Sequence, residues 1–249
     1  MSRKFLGKNL DQSKITKHSS ILDPIVRKKE QSKYKDIQIA KYGVDFWNAY
    51  EFSYLDKKGL PCLTILEISI PSKSPITVES KSLKIYLNTF FDLSFKSKAE
   101  VLLKIQDDLS GVCKFPVLVK FKESHPKIPK SISLLKIKAR FTEPNRIYKF
   151  DAFRSLCPVT NQPDWATIYL RSDCKMDIAF LNEYFLTFRG TGEFHELCID
   201  KIFTKIHKEY LPDSHCVYGR FLRRGGIDIN PMRSSSSKFL FKNHREYAQ

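Results

Sequence analysis

Hydrophobic periodicity constrains this chain more than any other feature. It switches from two-residue alternation to helical spacing and back, in the same order, twice. From Phe46 the run Phe46-Trp47-Asn48-Ala49-Tyr50-Glu51-Phe52 reads as a strand, and Asp56-Lys57-Lys58-Gly59 as a turn. Residues 60–70 return as a strand with Thr64, Leu66, Ile68 and Ile70 on one face and Leu63, Ile65, Glu67 and Ser69 on the other. Leu83, Tyr86, Leu87, Phe90 and Phe91 then fall at helical spacing. Ser97 and Glu100 form a capping box ahead of the stripe Val101, Leu102, Ile105 and Leu109, which Gly111 is expected to end. Strands are predicted near 112–121 and 133–141. The second half repeats the order: strands at 146–156 and 165–171, a helix through Ile178, Leu181, Tyr184 and Phe185, a second through Cys198, Ile199, Ile202, Phe203 and Ile206, and strands at 215–222 and 226–229.

The expected fold class is therefore α+β: two tandem ββααββ modules, with antiparallel sheets and helices on one face. Residues 1–40, lysine-rich and without sustained periodicity, read as a basic N-terminal arm; 41–143 and 144–249 read as the first and second modules. The longest apolar runs, such as Cys62 to Leu66, are far short of the roughly 18 residues of a membrane-spanning helix. No apolar segment follows Met1-Ser2-Arg3-Lys4, so a cytoplasmic protein is expected. The six cysteines have neither Cys-x-x-Cys spacing nor a zinc framework, and read as thiols. The net charge is +16, of which residues 1–40 carry +6 and residues 217–249 carry +5. Such a balance fits a solvated basic surface, attraction to RNA, or attraction to an anionic small molecule.

Four segments hold the residues with chemistry in them. Cys157 ends a strand and enters a turn with two prolines, and Asp164 stands seven residues later. A thiolate there would be a nucleophile if its surroundings favour it. Buried inertness for Cys157 and a capping role for Asp164 are the plainer alternatives. His195-Glu196 opens a helix after Gly190-Thr191-Gly192, where Glu196 either stabilises the helix start or accepts from a paired N–H/NH2 edge. A zinc-protease motif would need histidine at 199, where Ile199 stands. Glu79-Ser80-Lys81-Ser82-Leu83-Lys84-Ile85-Tyr86 opens the first helix, with Lys81 and Lys84 on one face, suited to a phosphate or simply solvated. Arg223-Arg224-Gly225-Gly226 combines guanidinium donors with open backbone, as a ribose- or phosphate-binding turn or as a basic hairpin turn. No Gly-x-Gly-x-x-Gly fingerprint occurs.

Together these segments resemble the NADPH-dependent 7-cyano-7-deazaguanine reductases, the QueF-type nitrile reductases, in their long two-module form. Glu79 to Tyr86 matches the family's Glu-Ser-Lys-Ser-hydrophobic-Lys-x-Tyr motif, and Cys157 and Asp164 match its nucleophile and proton donor across Val-Thr-x-Gln-Pro. The resemblance spans about residues 42–235 and leaves 1–40 unmatched. It implies the tunnelling fold (T-fold) and four-electron reduction of a nitrile through a covalent cysteine thioimide, in queuosine biosynthesis. It further implies substrate binding by Val78, Glu79, Ser80, His195 and Glu196, and NADPH binding by Ser80, Lys81, Lys84, Arg224 and Gly225. A homodimer is expected, acting on a small molecule, with no metal, no membrane and no obligatory nucleic acid. The alternatives are a tunnelling-fold purine- or pterin-binding enzyme of another reaction type and a basic RNA-binding module.

Overall fold

The computed structural model describes residues 18–28, 37 and 40–249 of the chain. It is an α+β structure in which antiparallel pairing predominates. The described residues fall into two compact units. One holds Phe46–Ser124 and Arg223–Asp228 with the described residues before Ser32; the other holds His125–Leu222 and Ile229–Gln249 with the described residues between Ser32 and Phe46.

In the first unit, strand β1 (Pro24–Val26) pairs antiparallel with β4 (Ile76–Val78). Strands β2 (Tyr42–Leu55), β3 (Pro61–Pro71) and β5 (Leu118–Phe121) lie in the order β5-β3-β2. The β2–β3 turn forms as the sequence predicts. The Asp56 side chain accepts from the N–H groups of Lys58 and Leu60, and Gly59 takes the left-handed backbone (φ +78°) that a residue without Cβ adopts cheaply. Leu66, Ile68 and Ile70 are buried, as alternation predicted. They share the core with Leu83, Tyr86 and Leu87 of α1 (Ser80–Asn88) and Val101, Ile105 and Leu109 of α2 (Lys98–Cys113). Glu67, from the opposite row of β3, is buried as well, held by Lys122 at 2.7 Å and Lys120 at 3.0 Å. Burial opposes its ionisation, but the two lysines outweigh burial and keep its carboxyl below the ordinary range.

Three expectations need correcting. Helix α2 passes through Gly111 and ends at Cys113, capped by Lys114 in the left-handed region (φ 55°). The row Val101, Ile105, Leu109 continues at four-residue spacing to Cys113, and the buried slot there carries the helix past the glycine. The strand expected from 112 accordingly shrinks to β5. The strand expected over 133–141 is the two-residue β6 (Ile132–Ser133), parallel to β7, after which the N–H groups of Lys136 and Ile137 turn back onto the Ser133 carbonyl. Within the segment read as a basic arm, the described residues include β1 and bury Ile21, Leu22 and Ile25.

The second unit orders its strands β10-β9-β8-β7-β6: β7 (Ile147–Leu156), β8 (Pro163–Ser172), β9 (His215–Phe221) and β10 (Ile227–Ser234) follow β6 in the chain. Helices α3 (Ile178–Leu186) and α4 (His195–Tyr210) share an apolar core with Phe150, Phe153, Ile168, Leu170, Val217 and Phe221. The alternate residues Tyr169 and Tyr218 are packed by Phe241 and His244. No helix among the described residues is long and apolar enough to cross a membrane.

Candidate active site

Cys157 stands immediately after β7, where the chain turns into β8. Its N–H donates to the Gln162 carbonyl (2.9 Å) and its carbonyl accepts from Asn161 N–H (3.0 Å), with Asn161 in the left-handed region (φ 56°). Asn tolerates that conformation better than most residues. Cys157 is half-buried and Pro158 to Thr160 are exposed. Elsewhere Cys198 and Cys216 are fully buried, and burial pushes both thiols up, Cys216 to about 12. Those two stay protonated and inert.

Two contacts bring residues distant in sequence to this turn. Leu156 N–H donates to Thr191 O (2.9 Å) and Glu193 N–H to Leu156 O (3.0 Å), so the 191–193 segment runs beside the end of β7. A Cβ on Gly192 would lie 3.5 Å from the Pro158 Cα. Helix α4 therefore starts beside the cysteine turn. Asp164, opposite Ser155 on the paired strand, is buried, and its Oδ2 lies 3.3 Å from His195 Nε2. The His195 ring stacks on Phe221 with centroids 3.9 Å apart and planes 5° from parallel. His195 Nδ1 is buried with no protein partner among the described residues. Glu196 is half-buried in the first turn of α4, whose N-cap Phe194 supplies no side-chain acceptor. The second unit thus gathers Cys157, Asp164, His195 and Glu196. Phe221 had no signal in the sequence beyond its place in an apolar strand.

In the first unit Glu79 is the N-cap of α1. Its Oε1 accepts from Lys81 N–H (2.8 Å) and Ser80 Oγ (3.2 Å), and its Oε2 from Ser82 N–H (2.7 Å). An ionised carboxylate has about four lone-pair sites, so capping leaves it capacity for another donor. The Val78 side chain is buried in the core, whereas Ser80 is exposed. Lys81 is half-buried and Lys84 exposed, one helix turn apart.

Arg224 and Ile227 exchange backbone hydrogen bonds (2.8 and 3.2 Å) across Gly225 (φ 56°) and Gly226 (φ 81°), the two-residue hairpin that positive φ at both positions permits. The turn borders an open cleft lined by Ala49, Glu51, Phe52, Lys84, Leu87 and the two glycines, among others. A Cβ on Gly225 would come within 2.8 Å of Lys84 Nζ, and one on Gly226 within 2.5 Å of Glu51 Oε2. Lys84 and Glu51 stand 4.0 Å apart, both well exposed, a pair too weak to withhold the ammonium from a stronger anion. This glycine cradle beside Lys84, with Arg224 in the turn, fits the anionic part of a nucleotide. Glu51 had not been singled out from the sequence.

Two family models match the chain. One, described as "Nitrile reductase, 7-cyano-7-deazaguanine-reductase N-term", covers residues 14–121, and one described as "QueF-like protein" covers 163–239. Among similar proteins is a Coxiella burnetii (strain Dugway 5J108-111) protein named NADPH-dependent 7-cyano-7-deazaguanine reductase. It is 36% identical over an alignment of 228 residues that covers 84% of this chain and 82% of that one. Proteins of the same name from Buchnera aphidicola subsp. Schizaphis graminum (36% identical; 91% of this chain, 97% of that one) and Acinetobacter baylyi (32%; 96% and 96%) match over more of the chain. The first family match begins within the segment that the motifs left unassigned.

Proposed function

This chain belongs to the NADPH-dependent 7-cyano-7-deazaguanine reductase family, and on that premise we propose how its own residues carry the reaction. The activity is reduction of the nitrile of 7-cyano-7-deazaguanine to the 7-aminomethyl compound, with NADPH as reductant, in queuosine biosynthesis. Bound NADPH supplies hydride. Cys157 adds its sulfur to the nitrile carbon, forming a C–S bond as one C–N π bond opens, and Asp164 delivers the proton to the nitrogen. The covalent thioimide is still at the oxidation level of the nitrile and fixes the substrate carbon in place; reaching the amine takes two hydrides in all, with the C–S bond broken and the Cys157 sulfur released on the way. His195 holds Asp164 in register and orients the substrate. Glu196 and Glu79 accept from the N–H and NH2 edge of the deazapurine, with Ser80 and the backbone at Val78 bordering it. Lys81, Lys84, Arg224 and Gly225 hold the anionic cofactor, with Ser80 at the same helix start.

The observation that carries this reading is the buried Asp164–His195 pair beside the half-exposed Cys157 turn. It supports a nucleophile at the mouth of a hairpin with the proton source on the other strand. We further propose two tandem tunnelling-fold modules, 41–143 and 144–249, preceded by the basic arm 1–40, assembled as a homodimer in the cytoplasm. Each described unit has its own helix pair and antiparallel strands, which supports the two-module reading. Incubation with 7-cyano-7-deazaguanine, without cofactor, should give a mass adduct equal to the substrate and a near-ultraviolet thioimide band. Cys157→Ala should lose both, together with turnover, while keeping its fold. Normal turnover by that variant would sink the covalent mechanism.

A further inference from the structure

The β9–β10 ladder registers Ser234 with Cys216, Arg233 with Val217 and Met232 with Tyr218. The next residue of β10 is Pro231, which has no N–H to donate. Beyond it, the backbone of Phe221 is held by side chains. Phe221 N–H donates to Asn230 Oδ1 (3.1 Å), and the Phe221 carbonyl accepts from Gln249 Nε2 (2.6 Å). The same Nε2 donates to Asn230 Oδ1 (2.9 Å), so both amide hydrogens of Gln249 are used. Its Oε1 accepts from Arg220 Nε (3.0 Å), Arg220 Nη2 (2.8 Å) and Glu246 N–H (2.9 Å). Donors on one side and acceptors on the other fix which way the amide points. Gln249, Asn230, Arg220 and Phe221 are all buried. The ring they hold is the one on which His195 lies flat, 3.9 Å away.

We infer that Gln249 is a positioning residue for nitrile reduction: by clamping Phe221 it sets the plane of the His195 imidazole against Asp164. The inference rests on the reading of Asp164 and His195 given under Proposed function. Gln249 touches none of the reacting groups. It acts through a backbone carbonyl, a ring stack and a 3.3 Å pair.

Gln249→Glu is the informative variant. Its carboxylate still accepts from Arg220, so the buried guanidinium keeps a partner, but it faces the Phe221 carbonyl and Asn230 Oδ1 with an acceptor where a donor belongs. Phe221→Leu is the second variant: it keeps an apolar side chain and the backbone clamp but removes the ring. In the wild type the Phe221 ring current should shift the His195 imidazole protons upfield, and His195→Ala identifies that resonance. In both variants we expect the resonance to lose the shift and kcat to fall on the order of 10-fold, with the nitrile KM changing less than about twofold. An unmoved resonance in Gln249→Glu overturns the inference, as does a moved resonance with wild-type kcat. The turnover of His195→Ala separates the two levels. If it equals the wild type, the reading of the site fails and takes this inference with it. If it is lost while Gln249→Glu turns over normally, only the positioning role fails.

Discussion

At the scale of single residues, burial decides which groups are available for chemistry. Glu196 is half-buried in the first turn of α4, where the helix dipole alone would justify a carboxylate worth about 0.3–1 kcal/mol. If it also accepts from the deazapurine edge, Glu196→Gln sets a donor against a donor. Losing a charge-assisted hydrogen bond of about 1.5–3 kcal/mol should then weaken substrate binding roughly 10- to 150-fold. Calorimetric titration alongside a thermal melt tests this: an unchanged dissociation constant with a lowered melting temperature would leave Glu196 a helix-terminal residue only. His215 shows the opposite use of burial. Fully buried, stacked on Phe203 at 4.1 Å and donating from Nε2 to the Phe203 carbonyl (3.2 Å), it has its pKa lowered from 6.5 to about 4 by burial. The unfolded chain therefore takes up the proton first. The stability held in neutral His215 is complete above pH 6.5 and is lost as the pH falls through 6.5 toward 4, by up to about 3 kcal/mol. Denaturant melts from pH 7 to 4.5 should show a shallower loss for His215→Gln than for the wild type; parallel curves would contradict the assignment.

At the scale of elements, capping and turn chemistry place the functional side chains. Ser97 caps α2 by accepting from Glu100 N–H (3.2 Å), as the sequence predicted, but Glu100 answers the N–H of Lys96, one residue before the cap. Helix α1 is capped by Glu79, so the carboxylate proposed to meet the substrate also serves helix stability. The Gly225–Gly226 hairpin is a sharper constraint. Alanine at 225 would hold an unfavourable φ of +56° and bring its Cβ to 2.8 Å from Lys84 Nζ. The lysine end can swing away, so the cost is mainly backbone, about 1–2 kcal/mol. Displacing Lys84 should raise the NADPH KM about fivefold, the effect of ~1 kcal/mol, with little change in the nitrile KM. Steady-state kinetics with each substrate varied in turn would show it, and equal rises in both constants would argue for a general loss of structure instead.

For the whole molecule, the +16 charge works through its position more than its size. Exposed Lys84 and the half-buried Lys81 and Arg224 can meet an anionic cofactor, whereas the nitrile substrate is uncharged and indifferent to their field. Raising ionic strength from 0.01 to 1 M shortens the screening length from about 30 to 3 Å. The NADPH KM should therefore climb with salt while the nitrile KM stays level, and NADH, lacking the 2′-phosphate, should be the poorer reductant at low salt. Equal use of both nicotinamides, or a salt-independent NADPH KM, would detach these cations from the cofactor.

The sequence by itself determined whatever depends on neighbours along the chain. Alternation selected the buried face of β3, helical spacing selected Leu83, Tyr86 and Leu87, and Asp56 to Gly59 and Gly225-Gly226 dictated turns, because side-chain direction and allowed φ are local properties. That Cys157 and Asp164 belong to one hairpin was legible because its strands adjoin in the chain; their paired roles came only from the resemblance. Contacts between distant segments were decided only by tertiary structure. His195 reaches Asp164 because residues 191–193 dock on the end of β7, and Phe221 meets His195 because Asn230 and Gln249 replace the ladder that Pro231 interrupts. The end of α2 belongs to the same class. Whether a helix stops at Gly111 depends on whether a buried slot waits for Cys113, and periodicity in a single segment cannot report what packs against it.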